Sequence, residues 1–375
     1  MRVVQVSCIR DPRRRTGAEL LRAWPTLPEV ARAAASAGVD VAVVQAGWRD
    51  ETVDRDGIRY HFVAETAALP AGVSARMPVR LLHVIRSLRP DVIHLQGLDF
   101  PVPTRLLCAT GIPVLAQDHG SAPPGPAHRP LRRWGLARIA GAAFTARAQA
   151  EPFRRAGVLR SGAPVFEVLE SSTCFTTGDR AAARAAARGA TRIDGDPCVL
   201  WIGRLIADKE PMTALDAFAR AAERLPDARL WMAYGEAPLE AEVRARIEAD
   251  PRLRERVRLL GRVPHGEIQA LCRAADLFVS ASRREGSGFA LLEALACGLP
   301  ALAADIPAAR RILRGGAVGG LFPVGDAGAL ADLLVHHARL PPEDVRSAVR
   351  DHFDRHLSFD AVGRELRAAY EGVAR

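Results

Sequence analysis

The amino-acid sequence predicts an α/β protein made of two doubly wound parallel-sheet domains, and three observations carry that expectation. Short runs rich in Val, Ile and Leu recur along all 375 residues, with helical stretches between them. The runs are apolar at consecutive positions rather than alternating, as strands buried on both faces are. The strand–helix pattern also restarts near the middle of the chain.

Taken in order, the expected strands of the first half are Val3–Ile9, Val39–Gln45, Asp91–Leu95 and Pro113–Ala116. Those of the second half are Val165–Leu169, Val199–Ile202, Ala228–Ala233, Val257–Leu260, Leu277–Ser280 and Pro300–Ala303. Helical patterns such as Thr213–Arg224 and Leu239–Ala249 lie between them. An irregular stretch, ESSTCFTTGDR, and an Ala/Arg-rich segment ending in GATRIDGDP precede the fresh strand CVLWIGRL, which puts the boundary near 165–195. The domains are drawn as 1–170 and 171–355. A closing helix at 356–375 carries Phe359, Val362, Leu366, Ala369, Tyr370 and Val373 at helical spacing and is expected to pack back on the first domain. Ligands of open α/β sheets bind at the carboxyl ends of the strands, so a cleft between the two sets of strand ends is the expected site.

Composition narrows the class. A 49% hydrophobic, 25% charged chain is ordinary globular protein, not a disordered or collagen-like one. No apolar run reaches the roughly 20 residues that span a bilayer. The first apolar run is too short for a signal peptide and its arginines follow it, so the expected location is cytoplasmic. Six cysteines, Cys8, Cys108, Cys174, Cys198, Cys272 and Cys297, have no C-x-x-C spacing, which argues against a zinc cluster or a disulfide framework. Lys209 is the single lysine beside 51 arginines, and asparagine is absent.

Residues 1–170 hold 23 basic and 15 acidic side chains, and residues 171–375 hold 29 and 28. A basic first half is compatible with peripheral contact at an anionic membrane surface or with a plain solvated face. Aromatics make up only 5% and do not interleave with the arginines, so nucleic-acid binding is rejected.

Two constellations carry chemistry. Ser282-Arg-Arg-Glu-Gly-Ser-Gly-Phe-Ala290 follows a strand and opens a helix that Gly298 and Pro300 terminate. The amides from Ser287 to Ala290, with the helix dipole, favour an anion such as a diphosphate. Glu285 stands in that loop and Glu293 one turn into the helix, where a carboxylate can accept hydrogen bonds from both hydroxyls of a ribose. Gly203-Arg-Leu-Ile-Ala-Asp-Lys-Glu-Pro211 follows another strand and sets Arg204 and Lys209 to clamp a diphosphate, Arg as a planar fork and Lys as a point charge.

The pattern G-R-L-x-x-x-K-x-P, followed by S-x-x-E-G-x-G-x-x-x-L-E-A-x-A-x-G-x-P, resembles the retaining nucleotide-sugar glycosyltransferases of family 4, also called group 1. The resemblance implies the GT-B architecture, two Rossmann-like domains facing across a cleft. It implies a nucleoside diphosphate sugar as co-substrate, no metal or other cofactor, and a hydroxyl-bearing acceptor that is a glycan, a lipid-linked molecule or a small molecule. Arg204 and Lys209 would stabilise the leaving diphosphate, Glu285 would contact the donor sugar, and Glu293 the ribose. Gly203, Gly286, Ser287, Gly288, Phe289 and Ala290 would line the sugar and phosphates.

In the first half the resemblance carries over His119 towards the donor sugar and His94 as a wall residue. The loop after the first strand departs from the family: Gly17 stands for its usual Gly-Gly, and Arg15 is the cation placed to reach the phosphates. Two other enzyme readings are a nucleotide-sugar epimerase and a nicotinamide oxidoreductase. The first lacks assignable acid and base carboxylates and the second lacks the Gly-rich fingerprint. A non-catalytic nucleotide-sugar-binding scaffold would be marked by loss of a clamp residue. Gly315–Gly320 reads as a turn, His336-His337 as solvent-facing, and the 121–133 stretch as a loop.

Overall fold

The computed structural model describes residues 1–24, 26–64, 79–186 and 192–375. Two compact units divide the chain: Met1–Ser172 together with Phe359–Arg375, and Thr173–Ser358. Of the expected boundary region 165–195, residues 187–191 lie outside the described residues.

The first unit is built on eight strands: β1 (Arg2–Ser7), β2 (Asp40–Gly47), β3 (Glu51–Arg55), β4 (Ile58–Ala64), β5 (Val92–Gln96), β6 (Val114–Gln117), β7 (Gly141–Phe144) and β8 (Val165–Glu167). Their order is β3-β4-β2-β1-β5-β6-β7-β8, and every pairing but β3–β4 is parallel. The β3–β4 hairpin lies outside the expected strands. Its signal is Asp56-Gly57, both at positive φ, flanked by alternating apolar residues.

The closing helix, Phe359–Ala374, belongs to this unit and packs on the helix Thr26–Ser36. Gly363 permits the approach, since a Cβ there would stand 2.2 Å from the Ala33 carbonyl oxygen. The helix buries Val362, Leu366, Ala369, Tyr370 and Val373, and each large apolar side chain contributes on the order of 1.5–3 kcal/mol.

The second unit holds β9 (Cys198–Gly203), β10 (Arg229–Tyr234), β11 (Val257–Gly261), β12 (Leu277–Ser280), β13 (Ala301–Ala304) and β14 (Gly319–Phe322). All are parallel, in the order β11-β10-β9-β12-β13-β14. The order in which strands are added therefore reverses between β9 and β12, and a crevice opens at the carboxyl ends of those two neighbours. The expectation of a turn over Gly315–Gly320 is corrected in part. Residues Arg314–Gly316 form a single 3-10 turn, but Gly319 and Gly320 open β14, where a glycine pair hid the strand signal.

The expected loop at 121–133 is likewise corrected. A 3-10 turn, Pro126–His128, leads into the helix Arg129–Leu136, and Arg132 is buried with its guanidinium on the Leu98 carbonyl and the Asp99 carboxylate. His336 is solvent-facing, whereas His337 is half-buried and its pKa is lowered by that burial.

Candidate active site

The loops that follow β9 and β12 meet at the switch point of the second unit. Gly203 is the last residue of β9, and a Cβ on it would stand 2.9 Å from the buried Trp201 ring, which would have to shift to admit a side chain. Arg204 comes next, half-exposed, with Nη1 3.4 Å from Oε2 of Glu236 on the loop after β10. The Ala207–Lys209 3-10 turn then delivers Lys209, and Glu210 follows at φ 49° and ψ 50° before Pro211 opens the next helix.

Three ion pairs tie the two loops together. Lys209 Nζ donates to Oε1 of Glu285, the Arg283 guanidinium donates to Glu210, and Arg284 Nη2 lies 3.3 Å from Asp208 Oδ2. The Arg283 amide adds a 2.9 Å bond to the Asp208 carbonyl. Lys209 and Glu285 are 20% and 18% exposed, sheltered enough for their charges to interact strongly yet still open to a ligand. Ser282 Oγ donates to the same Glu285 oxygen at 2.7 Å.

Gly288 adopts φ 66° and ψ 70° and starts the helix Phe289–Ala296, which no side chain caps. That left-handed turn aims the chain into the helix, and its first amides face outwards with the positive end of the dipole. Ser287 is buried and Phe289 exposed on either side of it; Gly286 and Ala290 complete the segment. Glu293 lies on the same helix and its Oε1 is 2.6 Å from His265 Nε2. Arg204, Lys209, Glu285, Glu293 and the 286–290 amides are thus gathered at one switch point.

Ser282, Asp208, Glu210, Glu236 and His265 were missed from the sequence. Asp208, Glu210 and Ser282 lie inside the two motifs and could have been read as their internal partners. Glu236 and His265 come from other loops and carry no local signal.

In the first unit, His119 follows β6; its Nε2 is 2.7 Å from Gln96 Oε1 and its Nδ1 3.5 Å from Glu170 Oε2. Neighbouring Asp118 is buried, which raises its pKa, and it accepts bonds from Gly120 and Ser121. His94 is corrected from wall residue to core. It is wholly buried on β5, with Nδ1 2.8 Å from the Tyr370 hydroxyl of the closing helix, and burial drives its pKa down to about 3.

Arg15 is forked onto Asp11 by bonds of 2.8 and 2.9 Å, and that guanidinium holds the Asp11 carboxyl at about 2. The Arg15 charge is therefore already matched within its own loop. Gly17 opens the helix Gly17–Ala23, gives its amide to Glu51 and lies under the Phe62 ring, so packing accounts for the missing side chain. Among the described residues, no group of three or more His, Cys, Asp or Glu side chains is arranged to hold a metal ion.

Two sheets of this kind, one with cations and a free helix start at its switch point, define the GT-B class of nucleotide-sugar proteins. The chain belongs to the group 1 glycosyltransferases of family 4: residues 26–158 match the model for Glycosyltransferase Family 4, and residues 196–339 match Glycosyl transferases group 1.

Among curated proteins, a phosphatidyl-myo-inositol mannosyltransferase of Mycobacterium leprae (strain TN) is 34% identical over 181 residues, 47% of this chain and 46% of the relative. A D-inositol 3-phosphate glycosyltransferase of Mycobacterium sp. (strain KMS) is 34% identical over 48% of this chain and 40% of its own. The match thus spans about half the length of these relatives or less. Among solved structures, sucrose-phosphate synthase from Thermosynechococcus elongatus superposes with a TM-score of 0.69 at 19% identity, covering 99% of this chain and 98% of that one. Anabaena HepE in complex with UDP and glucose gives 0.67 at 17%, covering 99% of each. At such identities the likeness is one of fold.

Proposed function

We propose that the protein transfers a sugar from a nucleoside diphosphate donor to an acceptor hydroxyl, with retention of anomeric configuration and without a metal ion. The observation that carries this reading is the stitched pair of loops at the β9/β12 switch point, which gathers two cations, two carboxylates and a free helix start. In this account Lys209 exchanges its Glu285 partner for the diphosphate as negative charge develops on the leaving group, and Arg204 swings from its loose contact with Glu236 to join it. Fixed donors placed where charge develops lower the barrier without reorganisation.

Glu285, released from Lys209 but still held by Ser282, accepts hydroxyls of the donor sugar. Glu293 takes the ribose and the amides of 286–290 take the phosphates. His119 is the residue of the first unit assigned to the donor sugar. Retention follows a front-face attack in which the leaving diphosphate accepts the acceptor's proton, since no further carboxylate is assigned as a nucleophile.

The acceptor is a polyol or a lipid-linked polyol, as the names of the inositol-modifying relatives suggest. A basic face of the first unit favours peripheral contact with an anionic membrane. Between residues 100 and 150, five arginines besides the buried Arg132 accompany one acidic residue, the buried Asp118. Leu106, Leu131 and Trp134 are exposed there, with the Arg105 guanidinium 5.4 Å from the Trp134 ring. Arginines around exposed apolar side chains suit an anionic lipid surface.

The test incubates the purified protein with EDTA, a panel of UDP- and GDP-sugars, and phosphatidylinositol or inositol phosphate. Product is read by NMR at the anomeric centre. A product with the donor's anomeric configuration, formed in EDTA, is expected. Inversion of configuration or dependence on a divalent ion contradicts the mechanism.

A further inference from the structure

We propose that His265 is a positioning residue that holds Glu293 ready to grip both hydroxyls of a ribose, and so sets a preference for ribonucleoside over deoxyribonucleoside diphosphates. The inference rests on the nucleotide reading above and adds a residue from outside both motifs.

Glu293 is the one polar side chain of the helix FALLEALA, and Leu291, Leu292, Ala294, Leu295 and Ala296 around it are buried. Its own side chain is 12% exposed. A carboxylate so poorly hydrated needs a donor, and His265 supplies one at 2.6 Å. Carboxylate oxygens only accept, so the hydrogen in this bond belongs to Nε2 of the imidazole. Among the described residues, Oε2 of Glu293 has no hydrogen-bond partner. One oxygen is anchored to the protein and the other is open.

His265 reaches Glu293 from a separate element. It is the first residue of the helix His265–Ala274, beyond the turn that follows β11. Its ring leans on Phe175, with centroids 5.3 Å apart and planes 32° apart. Phe175 is fixed in turn, its amide on Thr173 Oγ1 at 3.2 Å and its carbonyl on Arg350 Nη1 at 3.1 Å. Despite this support the His265 side chain is 70% exposed, so core packing does not account for its position. The stack Phe175–His265–Glu293 restricts a carboxylate that would otherwise sample several rotamers. A vicinal diol then meets an oriented acceptor and loses less on ordering it. A nucleoside without those hydroxyls gains nothing from that orientation.

The experiment titrates wild type, His265→Ala and His265→Gln with UDP, GDP, ADP and CDP by calorimetry, and repeats each titration with the 2′,3′-dideoxy analogue. Thermal unfolding of every variant checks folding. For the ribonucleotide that binds, His265→Ala is expected to lose about tenfold in affinity, the scale of one hydrogen bond to a charged group. Its affinity for the dideoxy analogue stays unchanged, so the ribo-over-dideoxy ratio collapses. His265→Gln, whose amide nitrogen reaches a similar position, restores most of that ratio.

An equal loss for both nucleotides, or an undiminished ratio in His265→Ala, overturns the proposal while leaving the nucleotide reading intact. Wild type that binds none of the four overturns the nucleotide reading and this inference with it.

Discussion

The two sheets share a plan and use it differently. Each reverses its strand order beside its first strand, β1 next to β5 in one unit and β9 next to β12 in the other. At β9/β12 the strands end in loops whose charged side chains pair across the crevice and stay partly exposed. In the first unit the polar residues within the two neighbouring strands turn inwards: Gln5 and His94 are buried and both bond to the buried Tyr370 hydroxyl of the closing helix, and in the loop after β1 the Arg15 charge is matched by Asp11. One arrangement suits reversible capture of an anion, the other fastens the closing helix to the sheet. The shared fold supplies a position, and the residues at the strand ends decide what it does.

Four perturbations sharpen the contrast, the largest expected effect first. Lys209→Ala removes the charge that meets the diphosphate; turnover should fall about 10²–10³-fold, with thermal unfolding close to wild type because Ser282 still bonds Glu285. Steady-state rates with the donor sugar check it. Glu293→Ala deletes the acceptor of both ribose hydroxyls and should weaken nucleoside diphosphate binding about a hundredfold, as measured by calorimetry.

The third perturbation addresses the buried network. His94 stays neutral in the fold down to about pH 3, whereas in the unfolded chain it takes up a proton near its ordinary value of 6.5. The unfolded state thus binds more protons between those values, so stability rises with pH across that window and falls on acidification. From pH 7 to pH 5 the loss from this group is about 2 kcal/mol. Urea midpoints at the two pH values should show that much less acid sensitivity in His94→Gln than in wild type. The smallest effect belongs to Gly288→Ala. At φ 66°, with the Glu285 and Leu291 side chains at ordinary contact distance of 3.7 Å, an added Cβ costs about 1 kcal/mol of backbone strain, read as a modest drop in the unfolding midpoint.

What was legible in the sequence follows from where each signal resides. Buried parallel strands such as Val199–Ile202 and Leu277–Ser280 announce themselves because both faces demand apolar residues. β7, with the sequence GAAF, and β14, GGLF, lack β-branched residues and were missed. The two loop motifs were legible because a strand, a turn and a helix start are contiguous in the chain. The residues that link or orient those motifs depend on which strands become neighbours, which no local pattern records. His265, 28 positions from Glu293, is one of these. His94 was misplaced for the same reason: its partner Tyr370 is 276 residues away, on a helix that returns to the first unit.

Hydrogen–deuterium exchange with and without saturating UDP or GDP tests whether the β9/β12 switch point holds the nucleoside diphosphate. Slowed exchange is expected in peptides covering 203–210 and 282–293, lost in Lys209→Ala. Protection confined to the first unit, or unchanged exchange across both loops while the nucleotide is demonstrably bound, would contradict it.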